Sequence, residues 1–126
     1  MKKIIQTKNA PAPIGPYSQA VQTGNLLFVS GQIAINPETE QLNITSIEEE
    51  THQVMRNIKA ILLEAGLDFS HVIKASIFLT DMGNFPRVNE TYASYFSSDF
   101  PARETVEVSV LPKNVNVEIS VIAATA

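Results

Sequence analysis

The sequence predicts an α+β fold in which a sheet of five or six strands carries two helices on one face. Three observations lead there. The 126 residues suit one domain, residues 1–126. Segments of β-branched and alternating residues recur along the chain, whereas only two stretches keep a helical period, too few to cover both sides of a sheet. Gly 5 and Pro 7 lie far below the ~25–30% that marks low-complexity sequence, and no repeat or linker divides the chain.

The elements follow in order. Lys2 to Gln6 suits a short strand. Pro11, Pro13 and Pro16 then hold the next stretch in an extended, ordered arm, because proline lacks the helical N–H donor and fixes φ. Gln19 to Gln22 and Leu26 to Ser30 bracket Thr23-Gly24-Asn25, whose Gly-Asn pair tolerates the positive φ of a tight hairpin. Ser30-Gly31-Gln32 ends the second strand, and Asn36-Pro37-Glu38-Thr39 opens a polar loop to about Asn43.

Ser46-Ile47-Glu48-Glu49 has the Ser-x-x-Glu spacing of a capping box, so a helix begins there. Val54, Ile58, Ile61, Leu62 and Ala65 form one apolar stripe, and Gly66 supplies a left-handed stop, which sets the helix at 47–65. Val72 to Thr80 reads as a strand with Ile73, Ala75, Ile77 and Leu79 on one face. Asn84 is placed to cap a second helix with Pro86 in its first turn and a buried stripe of Phe85, Val88, Tyr92 and Phe96, closed by Asp99-Phe100-Pro101. Thr105 to Val110 and Val115 to Val121 alternate strictly, and Leu111-Pro112-Lys113-Asn114 is expected to join them as an antiparallel pair. The sheet face away from the helices mixes Thr and Ser with Ile122 and Ala124, so burial against other subunits is expected.

Composition excludes several function classes. Cysteine is absent, which removes disulfides, thiolate metal sites and a cysteine nucleophile, and suits a reducing cytoplasm. Nine basic residues against 13 acidic give a net charge of −4, and apart from Lys2-Lys3 the basic residues are scattered, so nucleic acid is disfavoured as a partner. Ala60-Ile61-Leu62-Leu63 is far short of the ~20 apolar residues of a membrane span, and Met1-Lys2-Lys3 leads into Gln6, Lys8 and Asn9 instead of an apolar leader. A non-exported protein without a membrane segment is expected. His52 and His71 stand apart without a ligand partner at helical spacing, so no metal site and no cofactor is expected. Neither a Ser-His-Asp set nor a phosphate-cradling glycine loop is visible.

Polar residues at strand ends remain. Counting by twos puts Arg103 on the face of Thr105, away from the helices, and its planar fork suits a carboxylate. Read blandly, it is a surface arginine paired with Glu104 or Asp99. Glu118 lies mid-strand on the corresponding polar face of the next strand, close to Arg103 if the two strands form a hairpin. Alternation explains it equally well as an exposed carboxylate. The residues nominate an Arg/Glu pair without choosing a reaction.

Pro101-Ala102-Arg103, Val106-Glu107-Val108, Leu111-Pro112-Lys113 and Val117-Glu118-Ile119 resemble the C-terminal signature of the RidA (YjgF-type) reactive-intermediate deaminase family. Ala12 to Ala20, Phe28 to Ile33, Asn57 to Leu67 and Phe85 to Tyr92 match its pattern in the same order. The resemblance implies a chorismate-mutase-like fold and a homotrimer with ligand sites in the clefts between subunits. It also implies hydrolysis of 2-imino acids such as 2-iminobutyrate and 2-iminopropionate, or their enamines, to 2-keto acids and ammonia. By position, Arg103 would clamp the substrate carboxylate, Glu118 would position or activate water, and Tyr17, Ser30, Gly31 and Asn89 would line the cleft. Thr105 stands where well-known members carry cysteine. It keeps a hydrogen-bonding group at a substrate-facing position without the thiol. Rival readings are a non-catalytic keto-acid sensor and the ribonuclease or translation-inhibitor activity also attributed to the family.

Overall fold

A computed structural model describes residues 1–125. Strands β1 (Lys2–Ile5), β2 (Ala20–Thr23) and β3 (Leu26–Gln32) are followed by helix α1 (Ile47–Glu64) and strand β4 (Val72–Leu79). Helix α2 (Phe85–Ala93), β5 (Ala102–Glu107) and β6 (Val117–Ala124) complete the order. The six strands form one mixed sheet in the order β1-β2-β3-β6-β4-β5. All neighbours are antiparallel except β4 and β5, which run parallel because α2 carries the chain back between them. Among the described residues, no helix is long and apolar enough to cross a membrane.

The core lies between one sheet face and α1. Along β6, Val117, Ile119, Val121 and Ala123 are buried against Val54, Met55, Ile58, Ile61 and Leu62 of the helix. Each such valine, isoleucine, leucine or methionine stabilises the fold by about 1.5–3 kcal/mol relative to exposure. The α1 start forms as expected but with only the forward half of the capping box, the Ser46 hydroxyl accepting from the Glu49 N–H at 3.1 Å. The reciprocal box occurs instead at Asp68, which opens a 3-10 turn and exchanges bonds with His71. His52 bonds to the Tyr95 hydroxyl at 2.8 Å. Arg87 of α2 grips Glu48 of α1 through two bonds of 2.6 and 2.7 Å, and these lower the Glu48 carboxyl to about 2. That exposed tie is present above the usual carboxylate pKa and is lost as pH falls toward 2.

Four expectations need correction. The segments before and after Leu111-Pro112 do not pair, because β4 lies between β5 and β6. The reason lies in the residues each strand turns toward the helices. Those of β6 are apolar and claim a central place, whereas β5 offers Arg103, Thr105 and Glu107, which tolerate only the sheet edge. Val106, opposite Phe78, therefore points to the other face. Ile73 is 47% exposed because a register shift between Val72 and Lys74 makes it the extra residue of a bulge, and Val72 takes the buried place. Asn84 makes no side-chain cap, since a preceding 3-10 turn (Met82–Asn84) runs straight into α2. That helix ends at Ala93, well before Asp99, which itself adopts φ +53°.

Candidate active site

The residues singled out by sequence fall into two groups. Tyr17, Ser30, Gly31 and Glu118 line one cleft of about 330 Å³ together with Ile14, Gln19, Gln32, Ile33, Ile35 and Pro112. The cleft exists because of a bulge. Val29 opposes Val121 and Gln32 opposes Ile119, so β3 carries one residue more than β6 in this interval, and Ser30-Gly31 bows out beside Glu118. A Cβ built on Gly31 would stand 2.8 Å from the Glu118 carboxyl carbon, so glycine is what lets that side chain lie across the backbone. Half-burial pushes the Glu118 carboxyl above its ordinary value by disfavouring the charged form.

The proline arm forms the cleft's outer wall and is held by a residue that sequence reasoning passed over. Gln19 is buried, accepts from the Thr7 N–H at 2.7 Å and donates to the carbonyls of Thr7, Ala10 and Pro11. Ser30 fixes the arm's other end, its hydroxyl donating to the Ser18 carbonyl at 2.6 Å. At the tip, the Tyr17 hydroxyl accepts from the Ile14 N–H at 3.3 Å. Asn57 of α1 holds the inner wall by donating to the carbonyls of Ile33 and Ile35 at 3.1 and 3.0 Å.

The second group, Asn89, Arg103 and Thr105, sits where β5 meets α2. Arg103 pairs with Ala75 and therefore points to the helix side, not away from it as alternation counting predicted. Phe85, Asn89 and Tyr92 lie at i, i+4 and i+7 along α2 and form a cradle for it. The guanidinium carbon lies 5.5 Å from the Phe85 ring centre and 5.2 Å from that of Tyr92, and Nη1 donates to Asn89 Oδ1 at 2.7 Å. All three partners are uncharged, and no carboxylate pairs with Arg103 among the described residues. Glu104, one of its expected partners, instead bonds to Ser76 and Lys74 on the opposite face. The cradle orients the cation without neutralising it, which leaves it able to take an anion. Thr105 Oγ1 and the Tyr92 hydroxyl are buried without a partner. Burial raises the Tyr92 pKa, and nearby Arg103 partly opposes the rise.

Arg103 and Glu118 are thus separated by β4 and lie on opposite faces of the sheet, so one chain does not bring them into one site. Two substitutions test the halves separately. Asn89→Asp places a carboxylate on Arg103 and is expected to weaken binding of a small carboxylate ligand, read by calorimetry, by about tenfold or more, with the melting temperature kept or raised. Gly31→Ala displaces the flexible end of Glu118 instead of breaking the core. The variant should fold normally, and its crystal structure should show Glu118 swung from the bulge.

A six-stranded mixed sheet with both helices on one face places the chain among the chorismate-mutase-like α+β proteins. Within that class the chain belongs to the RidA (YjgF-type) family: the family model described as Endoribonuclease L-PSP matches residues 7–125. A RutC family protein of Pyrococcus horikoshii is 53% identical over 123 residues, covering 98% of each chain. The 2-iminobutanoate/2-iminopropanoate deaminase of Bos taurus is 46% identical over 123 residues, covering 98% of this chain and 90% of the relative. Among solved structures, E. coli TdcF with bound serine superposes with a TM-score of 0.94 at 38% identity, covering 98% of this chain and 99% of that one. Deaminase activity on imino acids is therefore a property named within the family.

Proposed function

We propose that this chain hydrolyses 2-imino acids or their enamine tautomers to 2-keto acids and ammonia, at sites shared between subunits of a homotrimer. The observation that carries the reading is the pairing of an unneutralised Arg103 on one sheet face with a half-buried, raised-pKa Glu118 on the other. A site that uses both needs two chains, with the β5 edge of one against the open face of the next. That open face supports the arrangement, because it exposes Ile4, Phe28 and Val106 to 46%, 42% and 40%.

In this reading Arg103 holds the substrate carboxylate on its free guanidinium nitrogens. The protonated imine is already electrophilic, so the protein's task is to orient it and to supply a placed water. Glu118 accepts a proton as the water oxygen bonds to C2, which gives a carbinolamine. It then returns the proton to nitrogen. The C2–N bond breaks with its electron pair leaving on ammonia, the hydroxyl proton passes to the freed Glu118 carboxylate as C2=O forms, and the ammonia carries it off as ammonium. The raised pKa of Glu118 suits both transfers, since it makes the carboxylate a stronger base than an exposed one.

The test is ammonia or keto-acid formation from imines released by a pyridoxal-phosphate dehydratase acting on serine or threonine. A rate no faster with this protein than without it would favour a sensor that binds keto acids at Arg103. The family model's description raises RNA as a substrate, but the net charge of −4 gives a phosphate backbone little to grip. Light scattering is expected to give about three times the 13.8 kDa chain mass. A monomer at micromolar concentration would remove the shared site.

A further inference from the structure

Glu50 of α1 is fully buried, carries an ionisable group and has no part in the cleft. Its carboxylate meets three donors, all on the two residues before Glu118. Oε2 accepts the backbone N–H of Asn116 at 2.7 Å and that of Val117 at 3.1 Å, while Oε1 accepts from the Asn116 side-chain amide at 2.8 Å. A buried carboxylate is tolerated only where donors replace its water, and among the described residues no cation pairs with it. We infer that Glu50 is a positioning residue for Glu118, a clamp from α1 that holds the first residues of β6 in the phase that turns Glu118 into the cleft.

The local backbone shows why a clamp is needed. Pro112 has no N–H, and Lys113 and Asn114 follow with φ of +57° and +56°, two successive non-glycine residues in the left-handed region. The ladder with β4 begins at Val117 opposite Leu79, helped by the Thr80 N–H donating to the Asn116 carbonyl at 3.2 Å. Glu118 is therefore the second residue of a strand that begins with only Val115 and Asn116 between it and a strained turn, where strands open first. A slip of one residue would send its side chain to the helix side. Glu50 bonds both N–H groups from the core and prevents that opening.

The inference rests on Glu118 handling the water. Hydrogen exchange at the Asn116, Val117 and Glu118 amides, and steady-state kinetics well below the melting temperature, separate the two ideas. In Glu50→Ala these amides should exchange faster. Its kcat should fall on the order of 10²-fold, because small misplacements of a reacting group are that costly, while KM, set by Arg103, stays within about threefold. Glu50→Gln should keep most of kcat, since its carbonyl serves both N–H groups and its NH2 donates to the flipped Asn116 amide.

Asn116→Asp sets two carboxylates face to face and should lower kcat. Adding Glu50→Gln to it should restore the rate, because the glutamine donates to the new carboxylate. Wild-type kcat in Glu50→Ala, or kcat and KM changing in parallel, overturns the inference, as does a double variant no better than Asn116→Asp alone. If Glu50→Ala does not fold, the Asn116 pair decides. If wild-type protein turns nothing over, the hydrolysis reading falls. The exchange data then judge the clamp, and unchanged protection rejects it.

Discussion

Glu118→Gln is expected to lower turnover of 2-iminobutyrate or 2-iminopropionate by roughly 10²–10⁴-fold, the range for removing a general base, while affinity for a keto-acid analogue changes little. The same variant should be more stable than wild type at neutral pH. Burial raises the Glu118 pKa in the folded state, so the folded chain binds more protons than the unfolded one just above the ordinary value of 4.5. Stability from this group is therefore lost as pH rises through that window, and glutamine does not suffer the loss. The gain in melting temperature should shrink below pH 4.5. Glu118→Asp keeps the charge but shortens the reach, so a partial rate loss is expected if the placing of water matters. Wild-type turnover in Glu118→Gln under single-turnover conditions would reassign water activation to the substrate or to a backbone carbonyl.

Arg103→Ala should leave the fold intact, because the side chain is exposed and stacks on α2 from outside the core. Loss of the charged, two-donor contact with a carboxylate should reduce kcat/KM by on the order of 10²-fold, mainly through KM. Lysine should rescue part of it, since it restores charge but neither the planar fork nor its stacking between Phe85 and Tyr92. The ligand can be a 2-keto acid in calorimetry, which measures binding apart from turnover. Equal affinity in wild type and Arg103→Ala would show that the carboxylate is held elsewhere.

These two residues also mark where reading from sequence stops. Alternation placed Glu118 correctly on the half-buried face of β6, but the same rule put Arg103 on the wrong face. Alternation says which residues share a side and not which side meets the helices. On β5 the residues turned toward the helices are the polar ones, the reverse of an ordinary half-buried strand. Of the stripe Phe85, Val88, Tyr92 and Phe96, the first three form a helix face and Phe96 lies beyond the helix end, and nothing in the spacing revealed that Asn89 completes a cradle for Arg103. Nothing in the local pattern marks Gln19, Glu50 and Asn57 as buried. Their burial depends on donors and acceptors that arrive from segments distant in sequence, in the case of Glu50 from 66 residues away.

What the sequence determined by itself is local. The 3.6-residue stripe and Ser46 set α1, Gly24 with its φ of +57° set the hairpin between β2 and β3, and the period-two valines and isoleucines made β6 a strand with one buried face. Each follows from backbone sterics and from periodicity within a few neighbouring residues. The tertiary structure alone decided the strand order, the bulge that seats Glu118 over Gly31 and the separation of Arg103 from Glu118 by β4. These outcomes depend on which apolar rows compete for α1, and two strands of identical alternation are told apart only when one is buried at the centre of the sheet and the other is left at its edge.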